Sequence, residues 1–301
     1  MTGAAAGGPP SVEVVEYTDP LCPWAWGSEP VFRRLRTALA GRVRWRRVYA
    51  ILFDTDDDPP PDPAAETAWY TRYVEGVCAH TGAPRAVRLS RMPASSWPAS
   101  LVAKAAELQG EEVAGRALRR LRESVFVLGE PADTAALALA AVRGTPGLDL
   151  ARLTADAGSG AVLERVRADR AEARRPVPEV RAVSGGSPHP GAAKETADGG
   201  HRYALPTLLV RTSGGHRAVP GWRPFEEYAA AVDELGPGLL GVPAPLPAAR
   251  ALERFGSMTE PERLLLAEGA WPPPHAVRVQ TGNGPVWLHP DEASGRPAAA
   301  G

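Results

Sequence analysis

Of the two cysteines in the 301 residues, Cys22 stands where thiol chemistry is most readily supported, in Asp19-Pro-Leu-Cys22-Pro23-Trp24-Ala25-Trp-Gly-Ser-Glu-Pro30. The thiolate, not the thiol, attacks disulfides, so the surroundings that set its pKa decide reactivity. A free cysteine titrates near pH ~8.5, and beside the unpaired N–H groups of a helix N-terminus the value can fall to roughly 3.5–7.5. The flanking residues supply such a place. Val12 to Tyr17 alternates and is rich in β-branched residues, as a strand should be, and Thr18-Asp-Pro is turn chemistry. Val31, Leu35, Ala38 and Leu39 then recur at helical spacing, and Gly41 closes the helix. Cys22 is therefore expected at or just before a helix N-terminus, where an anion is favoured. Trp24 reads as an aromatic wall for the thiol and Trp26 as a plug in the core. Glu29 has two readings, a proton shuttle if buried or a complement to the helix dipole. Asp19, ahead of Pro20, reads as a turn former.

Those residues need a scaffold, and the chain is long enough to bury a sizeable core. Its 34 basic and 35 acidic side chains leave a net charge of -1, so no global field argues for nucleic acid or an anionic membrane surface. No window approaches the ~18 consecutive apolar residues of a membrane span, and the first ten residues lack the basic and apolar regions of a secretory leader. A cytoplasmic location is expected, and with it no structural disulfide between Cys22 and Cys78. No metal site is expected either: Cys78-x-His80 has no second pair at zinc spacing, and the acidic, proline-rich loop Asp54 to Pro63 lacks calcium-loop spacing.

Along the chain, Val43 to Phe53 is expected to form a second strand. The long helical link makes it parallel to the first, in a right-handed βαβ unit. Ala64 to about Arg175 is helical and alanine-rich, about four to six helices, with stops at Gly110, Gly129 and Gly144. Residues 176–200 read as a flexible return. Pro206 opens a further strand, Thr207 to Arg211 and Arg217 to Val219 flank a Ser213-Gly-Gly hairpin turn, and Phe225 to Leu235 is an amphipathic helix. In the tail, Thr259 can cap a helix with Pro261 early in it, and Val277 to Leu288 can form a hairpin turned at Gly282-Asn-Gly. The tail is expected to pack on the fold or to mediate a protein contact.

This order of elements resembles the thioredoxin fold with a helical insertion, as in the DsbA family of thiol–disulfide oxidoreductases, over about residues 11–236. Asp19 to Pro30, Ser95 to Ala106, Leu121 to Phe126 and Ala204-Leu-Pro-Thr-Leu-Leu-Val together resemble its cytoplasmic FrnE-like branch, which includes adaptors that deliver a transcription factor to a protease. The implied fold class is α/β: a thioredoxin-like domain at 11–58 and 201–236, a helical insertion with its return loop at 59–200, and a C-terminal extension at 237–301. The resemblance also implies site residues. Cys22, Pro23, Trp24 and Pro206 would be catalytic, and Leu205, Trp24, Ala25 and Thr207 would bind substrate. Leu205-Pro206 would be a cis-proline loop facing Cys22, its backbone exposed for strand-like pairing with a bound thiol or peptide.

One departure is plain, because the family's Cys-Pro-Trp-Cys is here Cys22-Pro23-Trp24-Ala25. Without a second cysteine the mixed disulfide cannot be released intramolecularly. Cys78 is one candidate resolving thiol, against its reading as a small buried hydrophobe. A low-molecular-weight thiol such as glutathione or mycothiol is another, with no tightly bound cofactor. Expected partners are protein or small-molecule thiols and disulfides, with neither nucleic acid nor membrane. Three functions compete: a monothiol DsbA-like oxidoreductase, a redox-inactive adaptor or pseudoenzyme, and a thiol-cofactor-dependent isomerase or transferase of the kappa-class-like kind.

Overall fold

A computed structural model describes residues 12–54, 62–184, 187–241 and 244–296. The chain opens with strand β1 (Glu13–Thr18), helix α1 (Pro23–Leu39) and strand β2 (Arg44–Tyr49). β2 lies parallel to β1, with Glu13 opposite Arg44 and Thr18 opposite Tyr49. It ends short of the expected Phe53. Ile51 takes φ 54°, and the Leu52 and Phe53 N–H groups turn to the Asp19 carboxylate (2.8 Å) and the Ser96 hydroxyl (3.1 Å) in place of a ladder.

Six helices follow: α2 (Pro63–Thr81), α3 (Trp97–Ala106), α4 (Glu111–Phe126), α5 (Ala135–Val142), α6 (Leu150–Ala157) and α7 (Gly160–Ala173). Asp62, Thr134, Asp149 and Ser159 cap α2, α5, α6 and α7 through their side chains. Of the acidic loop, Asp54 is ion-paired with Arg170 and Arg174, both at 2.7 Å; residues 55–61 lie outside the described residues. The return carries a short ribbon, β3 (Lys194–Glu195) with β4 (His201–Arg202). The hairpin β5 (Thr207–Thr212) and β6 (Gly215–Pro220) then joins the main sheet, whose order is β2-β1-β5-β6. β5 runs antiparallel to β1, with Tyr17 opposite Thr207. That register brings the chain just before β5 beside the turn that carries Cys22.

Helix α8 (Phe225–Leu235) covers one face of the sheet. Tyr228 and Val232 pack there with Phe32 and Leu35 of α1 and Leu208 and Val210 of β5. A second core gathers Trp26, Cys78 and the apolar sides of α3 and α4. The tail folds as β7 (Leu246–Pro247), α9 (Ala248–Phe255), β8 (Ser257–Met258), α10 (Glu260–Leu266), β9 (Ala267–Glu268), β10 (Val277–Thr281), β11 (Gly284–Leu288) and α11 (Pro290–Ser294). Thr259 and Glu262 form a reciprocal capping box on α10, and the β10–β11 hairpin turns at Gly282-Asn283. The tail clasps the insertion: Asn283 accepts from the Arg85 N–H (2.7 Å) and donates to the Ala83 carbonyl (3.0 Å). No helix among the described residues is long and apolar enough to cross a membrane.

Candidate functional site

Cys22 is the N-cap residue of α1, with Pro23 in the first helical turn. The strand ends at Thr18, and Asp19 makes the turn. Its carboxylate accepts from the Leu21 N–H (2.8 Å), the Leu52 N–H (2.8 Å) and the Ser96 hydroxyl (3.0 Å). Burial raises the Asp19 pKa to about 6 against those hydrogen bonds. Asp19 thus fixes three segments around the thiol, as a turn former would.

A cleft of about 210 Å³ opens beside Cys22, walled by Trp24, Phe53, Trp69, Tyr73, His189 and Leu205, with Lys194 and Arg202 at its polar side. The Trp24 indole donates to the Tyr73 hydroxyl (2.7 Å) and stacks on His189, ring centres 4.8 Å apart. Trp26 points into the second core, donating to the Pro84 carbonyl (2.8 Å) under the Arg119 guanidinium. The Cys22 thiol donates to the Leu205 carbonyl at 3.7 Å, and the Leu205–Pro206 peptide bond is cis.

The expected low thiol pKa is not what this geometry gives. Burial raises it from an ordinary 9.0 to about 11; the N–H groups of Ala25 and Trp24 pull it down and the Asp19 carboxylate pushes it up. The dipole argument is right in sign, but desolvation of a residue only 3 % exposed outweighs it. Glu29 is no shuttle either. Burial would raise its pKa, yet the guanidinium groups of Arg36, Arg122 and Arg33 hold it far below the carboxylate range, so it stays ionised.

Other expected site residues fall elsewhere. Cys78 lies in the second core, its thiol 3.9 Å from the Pro84 carbonyl and raised by burial to about 12. It does not line the cleft, which corrects its reading as a resolving thiol and leaves it a small core hydrophobe. Thr207 is fully buried, and its hydroxyl closes the turn onto the Ala204 carbonyl (2.7 Å), so its side chain does not reach a substrate. Ala25 is likewise fully buried; only its N–H faces the sulfur. The backbone of Leu205 is not simply exposed, since its carbonyl accepts both from Cys22 and from His189 Nε2 at 2.7 Å. His189 went unread in the sequence because it lies in Gly/Pro-rich residues 176–200, whose composition signals only loop. Trp69 and Tyr73, 54 % and 40 % exposed and stacked at 5.6 Å, lie four apart on α2; that helical spacing was their one available signal. Among the described residues no group of three metal-ligating side chains occurs.

A four-stranded sheet with a buried thiol at the first helix N-cap, facing an X-Pro loop, defines a thioredoxin-fold protein of DsbA-like architecture. A family model described as thioredoxin matches residues 16–175, and the chain belongs to that family. It is 31% identical over 161 residues to the ClpXP adapter protein SpxH of Shouchella clausii, covering 52% of each chain. With SpxH of Halalkalibacterium halodurans it shares 32% over 120 residues, 38% of this chain and 39% of that one. The chain thus spans about half the length or less of these curated relatives. Among solved structures it is similar to a candidate protein disulfide isomerase of Nitrosomonas europaea, with TM-score 0.56 and 17% identity, covering 74% of this chain and 97% of that one. A candidate DsbA oxidoreductase of Streptomyces coelicolor gives TM-score 0.51 and 18% identity, covering 79% and 94%. At these identities the structures speak for the fold.

Proposed function

We propose that the protein is a monothiol thiol–disulfide oxidoreductase in which Cys22 is the nucleophile. The observation that carries this reading is the position of the sulfur, at the wall of an aromatic cleft with the Ala25 and Trp24 N–H groups directed at it. In the step proposed, the Cys22 thiolate attacks one sulfur of a disulfide bound in the cleft. A Cys22–S–S–R bond forms, the substrate S–S bond breaks, and the second sulfur leaves as a thiolate that takes up a proton. A low-molecular-weight thiol of the glutathione or mycothiol class then attacks the mixed disulfide, restoring Cys22 and carrying R away as a new disulfide. Leu205 and Pro206 orient the bound partner. Burial holds the Cys22 pKa high and makes the thiolate a minor species at neutral pH, so reactivity rests on partners whose binding brings donors or positive charge to the sulfur. Incubation with glutathione disulfide followed by intact-mass measurement is expected to show one adduct, at Cys22. Ala25→Cys is expected to gain insulin-disulfide reduction; no adduct in the parent together with no gain in the variant defeats the reading.

A second reading is favoured by the relatives, both of them ClpXP adapters, and by the absence of Cys78 from the cleft lining. In that reading the chain is an adaptor of the cytoplasmic FrnE-like kind, delivering a protein to a protease. Degradation assays with ClpXP and the Cys22→Ser variant separate the two: an adaptor keeps its stimulation, a redox protein loses its adduct.

A further inference from the structure

His189 lines the cleft beside Cys22 and has no role in the thiol chemistry. It is buried, its ring lies on Trp24, and its Nε2 sits 2.7 Å from the Leu205 carbonyl oxygen. A carbonyl only accepts, so this nitrogen carries the proton. The same oxygen lies 3.7 Å from the Cys22 sulfur. An extended peptide laid beside Cys22 would offer its N–H to such an acceptor, as an added strand does at a sheet edge; here the imidazole already fills that place. The segment is fastened from outside the cleft. Arg223 donates to the carbonyls of His189 (3.3 Å) and Pro190 (2.7 Å). Gly191, at φ +87°, lies so close to Pro220 and Gly221 that a Cβ there would meet backbone at 2.4 Å. With His189 in place the cleft holds about 210 Å³, below the ~300 Å³ at which drug-sized pockets begin.

We propose that His189 is a specificity-determining residue: a built-in occupant of the main-chain acceptor beside Cys22, which keeps the cleft at the size of small thiols and disulfides and obliges an extended protein partner to displace it. This rests on the reading of Cys22 as a thiol nucleophile.

The test compares two reagents in a Cys78→Ala background, where Cys22 is the one thiol: iodoacetamide, and a short extended peptide carrying a bromoacetyl group. His189→Ala is expected to raise the ratio of peptide to iodoacetamide rates by roughly fivefold or more, the factor that one hydrogen bond is worth. Arg223→Ala, which loosens the segment without touching the cleft, is expected to move the ratio the same way, and it keeps the test open if His189→Ala does not fold. An unchanged ratio overturns the proposal, whether both rates rise together or neither moves. Alkylation needs no disulfide exchange, so a shifted ratio in a protein that forms no glutathione adduct and gains no insulin reduction on Ala25→Cys would defeat the redox reading and leave this one standing. Intact exchange with an unshifted ratio would defeat this one alone.

Discussion

At Cys22 two effects oppose each other: helix N–H groups that would stabilise a thiolate, and an enclosure by Trp24, Leu205 and the cleft wall that excludes the water a thiolate needs. The second is larger, and the pKa moves from 9.0 to about 11. The sign of the linkage follows. A thiol whose native pKa is raised holds its proton longer in the folded chain, so its contribution to stability is full below pH 9 and is lost as pH rises through 9 toward 11. Iodoacetamide alkylation of the native protein is therefore expected to keep accelerating to about pH 11, while the urea-unfolded chain levels off near 9. A native profile with its midpoint at or below the unfolded one would mean that the helix N-terminus prevails after all. The position of Cys22 was legible from the strand-turn-helix sequence around it. Its titration was not, because the residues that bury it, Tyr73, His189 and Leu205, come from three distant stretches of the chain.

The elements were more legible than the residues, because alternation and helical spacing are local properties. The hairpin β5–β6, helix α8 and the tail hairpin follow their turn residues and periodicity. Where the reading slipped, at residues 50–53, an apolar run continued but a tertiary contact took its hydrogen bonds: Asp19 holds Leu52. The packing of α1 on α2 shows a similar limit at Gly27, which local propensity would gladly replace. A Cβ there would meet Thr81 Cγ2 at 2.6 Å and Cβ at 2.9 Å, and Thr81 is held by its hydroxyl bond to the Val77 carbonyl (2.9 Å). The clash outweighs the ~1 kcal/mol gained from helix propensity. Gly27→Ala is expected to destabilise by about 1–3 kcal/mol, the usual cost of overpacking, read as a lower urea midpoint. Gly27→Ala combined with Thr81→Ala is expected to recover most of the loss. A stabilised single variant would show that α1 and α2 part easily there.

Across the whole molecule, the least legible feature is a buried charge network that joins the thioredoxin-like sheet, the insertion and the tail. Arg119, Arg122 and Glu123 on α4 have the composition of a solvated face, yet each is at most 4 % exposed. Arg122 is held by Glu29 and Thr18, and the tail takes the other two: Ser257 and Arg296 bond Glu123, and Glu262 takes Arg119 through both oxygens, at 2.9 and 3.0 Å, although 143 positions separate the two residues. No local pattern announces a partner so remote. Glu262 also meets Arg33 of α1 at 3.1 Å and caps its own helix at the Thr259 N–H (2.7 Å). Glu16 and Glu29 continue the network to Arg36, Arg47 and Arg122. Glu123, which burial alone would raise, is held at about 2 chiefly by Arg296 and Arg119. Such a network is sensitive to the loss of one member, because the charges left behind stay desolvated with fewer counter-charges. Glu262→Gln keeps the shape and removes the charge, leaving Arg119 with Glu123 and Arg33 with Glu29 as their remaining counter-charges. We expect a loss of about 1.5–3 kcal/mol of unfolding free energy in urea, the scale of lost hydrogen bonds to charged groups, with protease cutting near residue 256 ahead of the core, where the tail is released first. Adding Arg119→Met should return part of that loss, since an apolar isostere costs less than a buried cation short of a partner in the same space. A loss under ~1 kcal/mol for Glu262→Gln, the scale of an exposed pair, would mean that water reaches this interface and that the tail is held by its apolar contacts alone.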